Sequence, residues 1–170
     1  GVEAKLYILG SGILKEELET KIIELNLSGS VQLLGHMENI RNFLSLMDYF
    51  IFPSLYEGQG MALLEAMSVG LLPIVSDIPT SREIVAGGNY GIISESNDEQ
   101  GLALAMMKAL KKEGILLQLD AKSILKRRNR KVYKFSKKLL RKKLIDFVAS
   151  DNHCNKERNY YTFKKAYKKI

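Results

Sequence analysis

The chain has 170 residues, 46% apolar and 26% charged, a globular mix long enough to bury a core and too rich in Leu, Ile and Val for low-complexity disorder. A single cysteine, Cys154, excludes a disulfide framework, and with only His36 and His153 beside it nothing suggests a Cys- or His-based zinc site. The net charge of +7 is unevenly placed: residues 1–115 hold 8 Lys and Arg against 15 Asp and Glu, a net of −7, whereas residues 116–170 hold the other 18 against 4, a net of +14.

In chain order, residues 5–10 form an apolar run stopped by glycine, which predicts a buried strand. Residues 14–25 place Leu14, Leu18, Ile22, Ile23 and Leu25 at helical spacing among Lys and Glu. Val31-Gln32-Leu33-Leu34-Gly35 predicts a second strand. Residues 39–47 predict a short helix with Ile40, Phe43, Leu44 and Met47 on one face. Tyr49-Phe50-Ile51-Phe52-Pro53 predicts a third strand. Residues 61–69 read as a helix closed by Gly70, and Leu72-Pro73-Ile74-Val75-Ser76 as a fourth strand with Pro73 near its start. A short helix over residues 81–85, a small strand at residues 91–94 and a helix from an Asp98 cap to about Lys112 follow. Strands without alternation, each followed by an amphipathic helix, predict an α/β fold: a doubly wound parallel sheet covered on both faces. On this reading residues 1–115 are the α/β domain and residues 116–170 a basic helical tail. No apolar run reaches the length of a membrane span, and no basic stretch leads into one as in a signal peptide, so a cytoplasmic setting is expected.

Ligands of such sheets bind beyond the carboxyl ends of the strands, and Gly10, Gly12, Gly35, Gly58 and Gly60 all follow strands. The densest signal is Pro53-Ser54-Leu55-Tyr56-Glu57-Gly58-Gln59-Gly60-Met61-Ala62-Leu63-Leu64-Glu65-Ala66-Met67: a strand end, a glycine-bearing loop and a helix start. The first amides of a helix lack internal partners and, with the helix dipole, attract phosphate. Gly58 and Gly60 carry no Cβ to hold an anion away, so the amides of about Gly60, Met61, Ala62 and Leu63 are the expected donors. Glu65, about one turn further on, is a poor phosphate ligand but a good acceptor for a diol such as a ribose 2′,3′-OH pair. Glu57, on the other side of the phosphate position, suits the hydroxyls of a sugar attached to a diphosphate. Spacing alone leaves two plainer readings open: Glu65 as an acid near a helix start, and Glu57-Gly58 as a solvent-facing turn. Tyr56 and Met67 read as core residues.

Leu6-Tyr7-Ile8-Leu9-Gly10-Ser11-Gly12, Val31-Gln32-Leu33-Leu34-Gly35-His36, the loop from Pro53 to Gly60 with Glu65-Ala66-Met67, Gly70-Leu71-Leu72-Pro73-Ile74-Val75-Ser76-Asp77 and Arg82-Glu83-Ile84-Val85 occur in a telling order. Over roughly residues 4–112 the sequence resembles the C-terminal, donor-binding domain of GT-B retaining glycosyltransferases, the large family of glycogen-synthase-like and bacterial polysaccharide enzymes. Glu57 and Glu65, with seven residues between them, match that family's two-glutamate signature. The resemblance implies a Rossmann-like half of a GT-B fold, a UDP- or GDP-sugar as donor, and no metal or other cofactor. It implies that Glu57 contacts the donor sugar, where it positions the reacting group rather than acting as a covalent nucleophile. Glu65 would bind the ribose. The amides around Gly60, Met61, Ala62 and Leu63 would hold the diphosphate, with Gly58 and Gln59 in the same loop. Gly35, His36 and Met37 would lie by the base, and Gly10 and Gly12 on the same rim.

Some positions depart from the family pattern. Ser11 replaces an Asp, Gln59 stands where an aromatic is frequent, and Thr80-Ser81 where paired glycines often occur. The family's opening strand with a Gly-Arg motif and its following Lys, the cations that neutralise the diphosphate, have no counterpart here. Neither does the acceptor-binding N-terminal domain. The resemblance therefore implies half of an enzyme, binding its donor weakly and transferring poorly without the other half. A non-catalytic nucleotide-sugar binder is the rival reading.

In the tail, Ile124, Leu125, Val132, Phe135, Leu139, Leu140, Leu144, Ile145 and Phe147 give residues 122–147 helical amphipathicity among many Lys and Arg. A solvated helical face is the plain reading. Contact with anionic headgroups at the inner face of the plasma membrane is the favoured functional one, since a lipid-linked acceptor would be presented there. Tyr160, Tyr161, Phe163 and Tyr167 interleave with Lys, which suits nucleic acid, the less favoured partner. Cys154 reads as an incidental thiol.

Overall fold

Strands and helices alternate through residues 4–95, 98–114, 116–125 and 129–149, the residues that the structure, a computed structural model, describes. Strand β1 (Leu6–Leu9) leads through α1 (Lys15–Glu24) to β2 (Val31–Gly35). Helix α2 (Ile40–Leu44) leads to β3 (Tyr49–Phe52), α3 (Met61–Ser68) to β4 (Leu72–Ser76), and α4 (Pro79–Ile84) to β5 (Ile92–Ser94). After α5 (Glu99–Lys112) come β6 (Gln118–Asp120), α6 (Arg130–Arg141) and β7 (Phe147–Ala149). Among the described residues every strand pairing is parallel, in keeping with the non-alternating apolar runs. The hydrogen bonding is divided into three ladders, β1–β2, β3–β4–β5 and β6–β7. Among the described residues no backbone hydrogen bond joins β1 to β3.

Strand β4 shows why the layout is doubly wound. Successive side chains point to opposite faces of a sheet. Ile74 packs on one face against Ala105 and Ala109 of α5. Val75, its neighbour, packs on the other against Leu63 of α3 and Val85. Helix α3 also reaches β1: its Ala66 shares a cluster with Leu44 and Leu71, against which Leu9 and Phe50 pack. Side chains thus join the β1–β2 and β3–β4–β5 ladders where backbone bonds do not. The T-shaped contact of Tyr7 with Phe43, centroids 5.4 Å apart, docks α2 on β1.

The end of α3 follows from one residue. Gly70 takes φ 87°, a left-handed conformation that only glycine adopts without strain. Its N–H donates to the Met67 carbonyl at 3.0 Å and the next amide, of Leu71, to the Ala66 carbonyl at 3.3 Å. This pair of bonds satisfies two terminal carbonyls and brings Leu71 onto Ala66. At the other end of the domain, Asp98 caps α5 as expected, accepting from the Gln100 amide at 3.0 Å.

Helix α1 forms where its periodicity predicts, yet it buries none of its residues: Leu18 is 41% and Ile23 66% exposed. Of its apolar stripe only Ile22 is half-buried among the described residues. After residue 115 the expected helix is confined to α6: Ile124 lies before it, Leu144 and Ile145 after it, and Phe147 in β7, which pairs with β6 because the chain turns back beyond Arg141. Leu119, Ala121, Ile124, Leu139 and Leu144 of this segment form one core with Leu104 of α5. The amphipathic pattern of the basic segment is therefore spent on docking to α5.

Asp146 fastens that dock. One carboxylate oxygen accepts the Leu117 amide at 2.8 Å and the other pairs with Lys111 Nζ at 2.9 Å. The Leu117 amide first, and Lys111 second, hold its carboxyl below the ordinary carboxylate value. A depressed folded-state pKa contributes stability above the unfolded value and loses it as pH falls through the folded one. Asp146→Ala is accordingly expected to lower the thermal midpoint at neutral pH, with the gap from the parent chain closing on acidification. A gap that stays constant into strong acid would mean that the contact is not electrostatic.

Candidate functional site

Strand β3 ends at Phe52, and the chain crosses to α3 through a loop over residues 53–60. Leu55 and Tyr56 at its outer bend are 65% and 86% exposed. Tyr56 is therefore not a core residue, contrary to expectation: the backbone lifts off the sheet before its side chain can turn inward. Met67 does pack inward, against the Leu63 cluster.

The inner limb of the loop is pinned at Glu57 from two sides. Ser54 Oγ donates to Glu57 Oε1 at 2.9 Å, which fixes the carboxylate. Thr80 Oγ1, from α4, donates to the Glu57 carbonyl at 2.9 Å, which fixes the backbone. A carboxylate has about four lone-pair sites, so Oε2 and the rest of Oε1 remain able to accept. The side chain is half-buried, held still with acceptor capacity to spare.

Gly60 closes the loop and opens α3. Its φ of 61° and ψ of 36° are left-handed, and a Cβ there would lie 2.8 Å from Ile84 Cδ1 and 3.6 Å from Thr80 Cγ2. Its carbonyl accepts the Leu63 amide at 2.9 Å and the Leu64 amide at 3.1 Å. The Leu63 N–H, expected among the free donors, is thus engaged inside a tightened first turn. Among the described residues the amides of Met61 and Ala62 have no acceptor, and both residues are exposed. Glycine offers no side chain to cap them. These amides, at the positive end of an 8-residue helix, can receive an anion. Glu65 is exposed, four residues after Met61 and so on the same face, and makes no ion pair among the described residues. Gly58 and Gln59 are exposed in the loop. In chain order the two unpartnered amides lie between the carboxylates of Glu57 and Glu65.

A second group of the expected residues meets elsewhere. The Gly10 amide donates to the Gly35 carbonyl at 2.8 Å, so the turns leaving β1 and β2 lie side by side. Both glycines have positive φ, 109° and 69°. Gly12 is exposed and accepts the Lys15 amide at 3.2 Å; His36 is exposed and Met37 half-buried. No hydrogen bond among the described residues links this group to the Glu57–Gly60 loop. Among the described residues, no group of three or more His, Cys, Asp or Glu could hold a metal ion. Cys154 and the aromatic residues after residue 150 lie outside the described residues.

Ser54 and Thr80 are the site residues that sequence reasoning missed. Ser54 stands three residues before Glu57, near enough for their side chains to meet across the loop, but that spacing does not by itself specify the bond. Thr80 bonds across 23 residues and leaves no local signal. Next to it, Ser81 Oγ is buried without a partner among the described residues.

Residues 1–132 match the family described as glycosyl transferases group 1. Over 101 residues the chain is 33% identical to the N-acetylgalactosamine-N,N'-diacetylbacillosaminyl-diphospho-undecaprenol 4-alpha-N-acetylgalactosaminyltransferase of Campylobacter jejuni, covering 59% of this chain and 28% of that protein. Over 107 residues it is 36% identical to the UDP-Gal:alpha-D-GlcNAc-diphosphoundecaprenol alpha-1,3-galactosyltransferase of Escherichia coli, covering 62% and 28%. Two solved structures share its fold. The pneumococcal O-GlcNAc transferase GtfA, in complex with UDP and GlcNAc, superposes with a TM-score of 0.56 at 23% identity, covering 96% of this chain and 29% of that one. The sucrose-phosphate synthase of Thermosynechococcus elongatus gives 0.59 at 24% identity, covering 65% and 30%. The chain spans less than a third of the length of each of these proteins.

Proposed function

Since the chain belongs to the glycosyl transferases group 1 family, we propose that it is the donor-binding part of a retaining glycosyltransferase. The donor is a UDP- or GDP-sugar. The acceptor is a glycan or a lipid-linked saccharide, as in the two bacterial relatives named for diphospho-undecaprenol acceptors, and the product a surface polysaccharide or glycolipid. The observation that carries this reading is the start of α3: left-handed Gly60, the unpartnered amides of Met61 and Ala62, and Glu57 and Glu65 to either side.

The diphosphate sits at the two amides, which stabilise the charge that grows there as the donor C1–O bond breaks. Glu65 accepts from the ribose hydroxyls. Glu57, held by Ser54 and Thr80, accepts from hydroxyls of the sugar and fixes its orientation. The acceptor oxygen bonds to C1 on the face that the phosphate leaves, and its proton passes to the departing phosphate oxygen, so configuration is retained. We assign no cofactor to this reaction besides the donor. We assign acceptor binding and neutralisation of the diphosphate by cations to residues outside this span of the whole enzyme, so that these 170 residues taken alone bind donor without efficient transfer. We assign the reaction to the cytoplasmic side of the membrane; no described helix is long and apolar enough to cross one.

Titrating UDP and GDP into the isotope-labelled chain tests the reading. Saturable amide shifts at Gly58, Gly60, Met61, Ala62 and Glu65 are expected below about 1 mM nucleotide. Silence at these amides under saturating nucleotide would remove the reading. Nucleotide binding by the intact enzyme with no sugar transfer would leave a binding module instead.

A further inference from the structure

We propose that the outward face of α6 docks on an anionic lipid surface, with Arg130, Lys131, Lys134 and Arg141 meeting the headgroups. Between Arg130 and Lys143 the sequence holds eight Lys or Arg and no Asp or Glu. In the helix, Arg130, Lys134, Lys137 and Arg141 recur at i, i+4, i+7 and i+11 and so form one stripe, with Lys131 and Lys138 beside it and Lys142 just past its end. The opposite arc is committed to the core, where Leu139 is buried and Phe135 and Leu140 pack against the same cluster. Arg130, Lys131, Lys134 and Arg141 are all exposed. Among the described residues none of these four pairs with a carboxylate.

Local electrostatics oppose this arrangement. Like charges three and four residues apart repel along the helix. Arg130 and Lys131 stand in its first turn, at the positive end of the dipole, and no acid is there to offset them. The helix is held instead by its Asn129 cap, which accepts the Lys131 amide at 2.8 Å, and by the buried Leu139. A face kept cationic against its own helix is a local rule broken, and such breaks collect at working surfaces.

The partner that fits is a bilayer surface. Clusters of this size on an amphipathic helix suit anionic headgroups, and apolar side chains at the margin add to the contact. Val132 on α6 and Phe147 on β7 are each 45% exposed. A single-stranded nucleic acid would stack on exposed aromatic rings among the cations, and on α6 Tyr133 and Phe135 are both half-buried. The inference rests on charge and placement and stands apart from the donor site, which the nucleotide titration tests separately.

The whole chain is to be sedimented with vesicles of phosphatidylcholine, with and without about a third phosphatidylglycerol. Binding is expected only with phosphatidylglycerol and should weaken steeply as salt is raised. The triple change Lys131→Gln, Lys134→Gln and Arg141→Gln should lower partitioning about a hundredfold, at about fivefold per cation, with the melting curve unchanged. If the triple variant melts early, Lys134→Gln alone should lower binding about fivefold with the fold intact. Undiminished binding by the folded triple variant would overturn the proposal. So would loss of binding only on neutralising Lys164, Lys165, Lys168 and Lys169, or tighter binding of poly(U) than of the anionic vesicles at equal salt.

Discussion

Replacing Glu65 with alanine is expected to weaken UDP or GDP binding about tenfold to a hundredfold while leaving the fold untouched. A hydrogen bond to a charged group contributes about 1.5–3 kcal/mol, and a carboxylate facing a diol can make two. The side chain is exposed and makes no ion pair among the described residues, so its loss opens no cavity and strands no partner. Surface changes of that kind alter stability by about 0.5 kcal/mol or less. A deoxyribose nucleotide supplies the complementary cut: it should bind the parent chain more weakly than UDP, and the variant should hardly distinguish the two. Equal UDP affinity for parent and variant would return Glu65 to the plainer role of an acid near a helix start.

Leu63→Ala should have the largest effect on stability, a loss of about 2–5 kcal/mol in urea unfolding. Leu63 is wholly buried, with 0% exposure. It packs α3 against Val75 and Val85, over Phe50 and Phe52. Since a domain's whole stability is about 5–15 kcal/mol, this one residue decides much of whether the helix stays seated. It is also two residues from the unpartnered Met61 amide, so seating the helix and aiming the amides are one task. Nucleotide at about ten times its dissociation constant should restore about 1.4 kcal/mol. A loss under about 1 kcal/mol would mean that the loop and helix are held by something other than this core.

The elements read best from sequence are those with hard chemical stops. Strands β2 and β4 fall where Val31–Gly35 and Leu72–Ser76 were expected, since each is an apolar run with glycine or polar neighbours. Helix α3 was legible from Gly60 before it and Gly70 behind it. Helix α4 begins at Pro79, two residues before the expected start, because proline's fixed φ is preset for the first helical turn. Strands β6 and β7, at three residues each, are too short to show any period. For α1 the pattern gave the helix and misjudged its burial, because burial depends on what packs above it. At the site, glycine spacing pointed to the loop and its two glutamates. The Thr80 bond was hidden by 23 residues of separation, and the engaged Leu63 amide depends on how tightly one turn closes.

The unjoined ladders give the molecule two seams of different strength. Strands β1 and β2 hold each other, and among the described residues side chains such as Leu9 against the Ala66 cluster, rather than strand pairing, hold the pair to the rest. Opening that pair breaks no backbone bond of the β3–β4–β5 ladder, so amide exchange is expected to show separate opening free energies for the two. The half that carries Glu57 and Gly60 can keep its shape while the half that carries Gly35 and His36 exchanges its amides with solvent. A ligand gripped by both halves would then register as slowed amide exchange in β1 and β2 as well as at the start of α3.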